Sequence, residues 1–153
     1  MPAVPLPSYA SGTGDVPLLG ETIDANLTRA VARFGAREAL VDVASGRRFT
    51  YTTLDTAVDD LARGLLARGV AKGDRVGIWA PNCVEWFLTQ YATARIGAIC
   101  VNINPAYRTH ELEFVLRQAG VSVLVSATTF KTSDYRAMVD EVRPALELSL
   151  IHI

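Results

Sequence analysis

Between residues 21 and 147 the apolar positions follow two rhythms, one helical and one strand-like. Ile23, Leu27, Ala30, Val31 and Phe34 recur at helical spacing and stop at Gly35, which predicts a first helix closed by a C′ glycine. "ALVDVASGRRFTY" (39–51) alternates around a Ser-Gly turn and predicts a β-hairpin. Thr52 and Asp55 stand at capping-box spacing ahead of Leu54, Val58, Leu61 and Leu65, one helical face that runs out at Gly69. The short apolar run "DRVGIWA" (74–80) reads as a strand, and "PNCVEWFLTQYATARIG" (81–97) as a helix with Asn82 as N-cap and Gly97 as terminator. The order then repeats. "AICVNI" (98–103) is a second strand, "THELEFVLRQAG" (109–120) a helix capped by Thr109, and "VSVLVS" (121–126) a third strand. "SDYRAMVDEVRPALE" (133–147) adds a last amphipathic segment through Tyr135, Met138, Val139 and Val142. Near-continuous apolar strands separated by helices imply right-handed crossovers and a largely parallel sheet with helices on both faces, so the expected class is α/β.

The ends follow neither rhythm. Residues 1–20 are rich in Pro, Gly and Ser and read as an extended arm. At the other end, "PALELSLIHI" (144–153) interrupts a helical pattern with a proline and stops on a short apolar tail, where the expectation is an incomplete sheet with an open strand edge.

Composition narrows the function. With 153 residues, 50% of them hydrophobic, the chain can build a sizeable core. Fifteen Lys and Arg against sixteen Asp and Glu, without a long run of either sign, exclude the electrostatic footprint of a nucleic-acid binder. Cys83 and Cys100 have no CxxC or Cys/His companions, so they predict neither a zinc site nor a disulfide framework, but free thiols in a reducing cytoplasm. The N-terminus lacks the pattern of a secretory leader, and no stretch approaches the ~20 apolar residues of a membrane span.

Candidate chemistry is sparse. A dinucleotide site needs a glycine-rich turn after the first strand, and "WAPNCVEW" places Pro and Asn there instead. "SGTG" (11–14) has no strand before it and no lysine after it. His110 falls in the first turn of a helix, where solvent exposure accounts for it, and Trp86 and Tyr91 fall where packing does. No residue is assigned as catalytic or as a metal ligand.

Specific wording carries more than periodicity. "FTYTTLD" (49–55), "GVAKGDRVGIWAPNCVEW" (69–86), "RIGAICVNINPAYRTHELEFVLRQAGVSVLV" (95–125) and "FKTSDY" (130–135) together resemble the N-terminal portion of the AMP-forming acyl-CoA synthetases, in the adenylate-forming superfamily. "NINPAYRTHELEFVL" with "FKT" shortly after is most similar to the medium- and long-chain fatty acyl-CoA synthetase branch. The resemblance implies that residues 21–147 are part of the large N-terminal domain, with "NPAYR" (104–108) as a structural loop between a strand and the next helix. It also implies a two-step reaction. A fatty acid and ATP give an acyl-adenylate and pyrophosphate, and CoA then takes the acyl group with release of AMP, Mg2+ screening the phosphates.

The family's Ser/Thr/Gly-rich phosphate loop, adenosine-binding residues and C-terminal lid lie downstream of the residues present here, so these 153 residues are expected to be inactive alone. By the same resemblance, Lys131 stands in a loop whose basic residues approach the nucleotide end of CoA. Its plainer reading is an exposed, solvated lysine ahead of a helix cap. "LSLIHI" (148–153) departs from the family and looks like the translation of a transposon mosaic end used in sequencing libraries, so this tail is expected to be an artefact. The competing reading is a stand-alone, non-catalytic α/β binding or interaction module. Homo-oligomerisation is left open.

Overall fold

The computed structural model describes residues 12, 14–16, 18–146 and 148–153. Most of the expected arm, including Ser11 and Thr13 of "SGTG", therefore lies outside the described residues.

Helix α1 (Ile23–Phe34) starts at Thr22, whose Oγ1 accepts from Ala25 N at 3.1 Å. Gly35 ends it, but in a right-handed conformation (φ −34°) rather than as the expected left-handed C′ glycine. Its small size matters for another reason: a Cβ there would come within 2.8 Å of Thr52 Oγ1, where the next helix begins. The expected hairpin is present as β1 (Glu38–Val41) and β2 (Arg48–Thr50), antiparallel with Leu40 opposite Phe49. Helix α2 (Tyr51–Ala67) follows at once. Its capping box uses Thr50 and Thr53, two residues earlier than expected; Thr53 N donates to Thr50 Oγ1 and Thr50 N to Thr53 Oγ1 (3.2 and 2.9 Å). Asp55 is thereby left to make a tertiary contact.

Strand β3 (Arg75–Trp79), helix α3 (Val84–Ile96), strand β4 (Ile99–Asn102), helix α4 (Thr109–Ala119) and strand β5 (Val121–Ser126) follow the expected order. Gly97 and Gly120 close the two helices in the left-handed conformation. Their starts differ from the sequence reading. Cys83, not Asn82, is the N-cap of α3, without a side-chain cap hydrogen bond, and Glu85 in the first turn pairs with Arg47 (2.7 Å). Arg108, not Thr109, caps α4, and the Thr109 hydroxyl donates to Glu141 (3.3 Å). A two-stranded ribbon that periodicity does not reveal comes next, β6 (Thr129–Phe130) and β7 (Ser133–Asp134). Asp134 then caps α5 (Tyr135–Val142), a 3-10 turn at Arg143–Ala145 absorbs Pro144, and β8 (Ser149–His152) ends the order.

Four strands form one parallel sheet in the order β4-β3-β5-β8. Alternation along β3 sends Val76 and Ile78 to one face, against Leu27, Val58 and Leu65 of α1 and α2, and Trp79 to the other, against Leu112, Leu116 and Val139 of α4 and α5. The sheet is thus buried on both faces, as continuous apolar strands require. The tail joins it: residues 149–152 pair in register with 123–126.

Candidate functional site at the carboxyl edge of the sheet

Strands β3 and β5 are neighbours, yet the chain leaves β3 toward β4 and leaves β5 toward β8. Where connections diverge in this way, a crevice opens outside the carboxyl ends of the strands, the usual ligand position in open α/β sheets. Three loops meet there: residues 80–83 after β3, 103–108 after β4 and 127–128 leading into the β6–β7 ribbon.

The 104–108 loop is held from several sides. Asn104 Oδ1 accepts from Ala106 N (2.9 Å) and Asn104 O from Tyr107 N (3.0 Å), so Asn104 braces the turn with its side chain, as residues of its type do. Trp79 Nε1 donates to Asn104 O (3.1 Å), and the Tyr135 hydroxyl donates to Pro105 O. The two rings stack face to face with centroids 3.5 Å apart and an angle of 2° between them, both fully buried. Burial pushes the Tyr135 phenol up to about 12, which keeps its proton on the donor. Next along, Arg108 N donates to Glu111 Oε2 (3.0 Å). Backbone N–H donors, first from Glu111 itself and then from Arg108, hold the Glu111 carboxyl below the usual range. The Arg108 guanidinium reaches the β6–β7 ribbon, donating from Nη1 to Ser133 Oγ (2.7 Å).

Lys131 is the first of two residues between β6 and β7, and it adopts a left-handed conformation (φ 53°) that residues with a Cβ rarely take. Its side chain is exposed, with Nζ 5.3 Å from the centre of the Phe130 ring. Neither Lys131 nor Arg108 forms an ion pair among the described residues.

The other residues singled out in the sequence stand apart. His110 is exposed and lines a groove on α4 with Tyr107 and Phe114. Tyr91 packs its ring 4.8 Å from that of Phe87. Trp86 and Cys83 line a cavity of about 320 Å3 between the hairpin and the start of α3. Burial raises the pKa of both the Cys83 and Cys100 thiols, as for unreactive packing cysteines. Among the described residues no group of three His, Cys, Asp or Glu could hold a metal, and no helix is long and apolar enough to cross a membrane. Arg108, Trp79 and Tyr135 escaped the sequence reading as site residues. An arginine just before a helix carries no signal of where its side chain will go, and the two aromatics read simply as core.

The profile of the AMP-binding enzyme family matches residues 27–152. The chain belongs to this family. It is 42% identical over 140 residues to the medium-chain acyl-CoA ligase ACSF2, mitochondrial, of Danio rerio, covering 92% of this chain and 23% of that one. Its counterpart in Homo sapiens is 41% identical over the same shares. Among solved structures, a fatty acyl CoA synthetase of Mycobacterium tuberculosis superposes with a TM-score of 0.77 at 26% identity, over 86% of this chain and 26% of that one. The N-terminal domain of FACL13 from the same organism gives the same score and identity, with 34% of its chain covered. The chain therefore spans about a quarter of the length of the curated relatives it matches.

Proposed function

We propose that this chain is the N-terminal part of a fatty acyl-CoA ligase, and that the 104–108 loop and the β6–β7 turn receive phosphates of the CoA nucleotide. In the complete reaction a fatty-acid carboxylate attacks the α-phosphorus of ATP and expels pyrophosphate. The CoA thiol then attacks the acyl carbonyl and expels AMP. Residues 21–147 contribute scaffold and the CoA-facing edge, whereas ATP, Mg2+ and the reacting carboxylate belong to parts of the enzyme outside these residues. The 153 residues alone are then inactive.

The hydrogen bond from Arg108 Nη1 to Ser133 Oγ (2.7 Å) carries the reading. It holds a guanidinium beside the turn that presents Lys131, so two cations that form no ion pair among the described residues stand at the carboxyl edge. Phosphate groups are bound by such donors, the planar guanidinium by two parallel hydrogen bonds and the ammonium as a point charge. The family match and the acyl-CoA ligases among the relatives support the substrate class.

In the complete enzyme, Lys131→Ala and Arg108→Ala should each raise the CoA KM roughly tenfold, about 1.4 kcal/mol for one charged hydrogen bond. Adenylation, followed as exchange of pyrophosphate into ATP, should stay at the parent rate. An unchanged CoA KM in both variants removes these residues from the site. Reading the locus past codon 147 tests the rest: an open frame continuing into a Ser/Thr/Gly-rich phosphate loop supports the ligase and a foreign tail at 148–153, and a genuine stop supports the non-catalytic module. We place the protein in the cytoplasm because its two thiols are free and suit reducing surroundings. The mitochondrial label in the names of the ACSF2 relatives makes the organelle the competing address, and imaging of the tagged protein distinguishes the two.

A further inference from the structure

Asn104 and Pro105 offer two successive backbone carbonyls, and each receives a donor from one of two stacked rings. Trp79 Nε1 donates to Asn104 O (3.1 Å), and the Tyr135 hydroxyl donates to Pro105 O. Aromatic pairs usually settle offset or edge to face, with centroids about 4.5–7 Å apart. These two rings lie flat on one another, 3.5 Å apart and within 2° of parallel. Their polar tips account for the alignment, since both are pinned to adjacent residues of one loop. Leu112, Leu116 and Val139 enclose the pair, and both residues are fully buried.

The same tyrosine reaches the other half of the candidate site. Its backbone N donates to Thr128 O (3.0 Å) and closes the base of the β6–β7 ribbon. Its ring lies 6.3 Å from that of Phe130, over which Lys131 Nζ stands at 5.3 Å. Lys131 holds a left-handed backbone (φ 53°), a conformation that lasts only where the flanking structure fixes it. Two ties therefore join the 104–108 loop to residues 133–135. The one from Arg108 Nη1 to Ser133 Oγ (2.7 Å) is exposed, so a ligand can take the guanidinium from it. The one from Tyr135 to Pro105 O is part-buried and stays in place when that exchange happens.

We propose that Tyr135 and Trp79 are positioning residues: their two donors hold the 104–108 loop against the β6–β7 ribbon and so set the spacing between the Arg108 guanidinium and the Lys131 ammonium. This rests on the reading of that edge as a receiver of the CoA phosphates. Two cations on loops can serve one ligand only when buried supports fix their separation, and the ring pair supplies that support without touching the ligand.

Kinetics of the complete ligase test this. Tyr135→Phe and Trp79→Phe keep an aromatic ring and remove the donor, and each should raise the CoA KM about fivefold. The kcat at saturating CoA and the pyrophosphate exchange of the first half-reaction should stay at parent values. Because Tyr135 acts through Arg108, adding Tyr135→Phe to Arg108→Ala should raise KM no further. Val58→Ala, in the core on the other face of the sheet, weakens the fold without touching the loop and should leave KM unchanged. In the 153-residue chain itself, exchange at the Ala106 and Tyr107 amides, which bond back to Asn104, should be about tenfold faster in Tyr135→Phe. A parent KM in Tyr135→Phe, independent effects of Tyr135→Phe and Arg108→Ala, or an equal rise in Val58→Ala overturns the proposal and leaves the CoA reading standing. So does unchanged exchange at the two amides. Parent KM values in both Arg108→Ala and Lys131→Ala overturn the CoA reading and this proposal with it.

Discussion

Tyr135 makes two separable contributions, a ring stacked on Trp79 and a hydroxyl donated to Pro105 O. Tyr135→Phe keeps the first and leaves a part-buried carbonyl without its partner, so a loss of about 1–2 kcal/mol is expected in the denaturant midpoint. The pH dependence has a fixed sign. The folded-state pKa of about 12 lies above the ~10 of an unfolded tyrosine. Stability from the neutral phenol is therefore complete below pH ~10 and lost as pH rises toward 12. Denaturation followed between about pH 9 and 12 should show the parent weakening more steeply above pH ~10 than Tyr135→Phe, which lacks this proton, while the partly buried thiols weaken both proteins alike. Of this site, the sequence showed that "NPAYR" is a braced loop and that Lys131 is exposed. It could not show Arg108 meeting Ser133, because a contact between residues 25 positions apart depends on how β6–β7 folds back, and that ribbon is too short to leave a periodic signature.

Helices α1, α2 and α3 are locked together by one side chain. Arg95, on α3, donates from Nε to Asp24 of α1 (2.7 Å), and from Nη2 and Nη1 to Asp55 and Asp59 of α2 (2.6 and 2.7 Å). The Arg95 side chain is 16% exposed. Burial works against its charge, but the three carboxylates outweigh that and hold its pKa above the ordinary arginine value. In Arg95→Met the aliphatic bulk remains while three carboxylates face one another uncompensated. Breaking fully buried pairs costs ~3–5 kcal/mol, and because the aspartates are partly exposed we expect roughly 2 kcal/mol. Added salt should recover part of the loss, since it screens repulsion among exposed charges, whereas lost packing would not respond. Urea midpoints at low and high ionic strength decide between them. Periodicity revealed all three helices, but two of the expected caps moved: the capping box of α2 lies two residues earlier, leaving Asp55 to Arg95, and α3 starts from Cys83 rather than Asn82.

At the scale of the whole molecule, strand β8 is the test of how the sheet holds together. Within this sheet it was the least expected element, since a six-residue tail after a proline offers too few positions for any rhythm, whereas β3, β4 and β5 were legible from their apolar runs. Once paired, its alternation serves both cores. Leu148 and Leu150 pack with α4 and α5, and Ile151 and Ile153 with α1 to α3. Ala127 N donates back to Trp79 O and Ile153 N donates to Ser126 O, so within β5 the amides of Val123 and Val125 face β3 while those of Leu124 and Ser126 face β8. Removing residues 148–153 should therefore act on alternate residues. Exchange at Leu124 and Ser126 should accelerate by orders of magnitude, and Val123 and Val125 should keep the protection that β3 provides, because each group loses or keeps its own partner. Truncation also strips apolar cover from both faces of a strand buried almost throughout, so the melting temperature should fall along with this local effect. Uniform exchange across all four amides would instead mean that the sheet opens as one unit and that β8 is required for the fold itself.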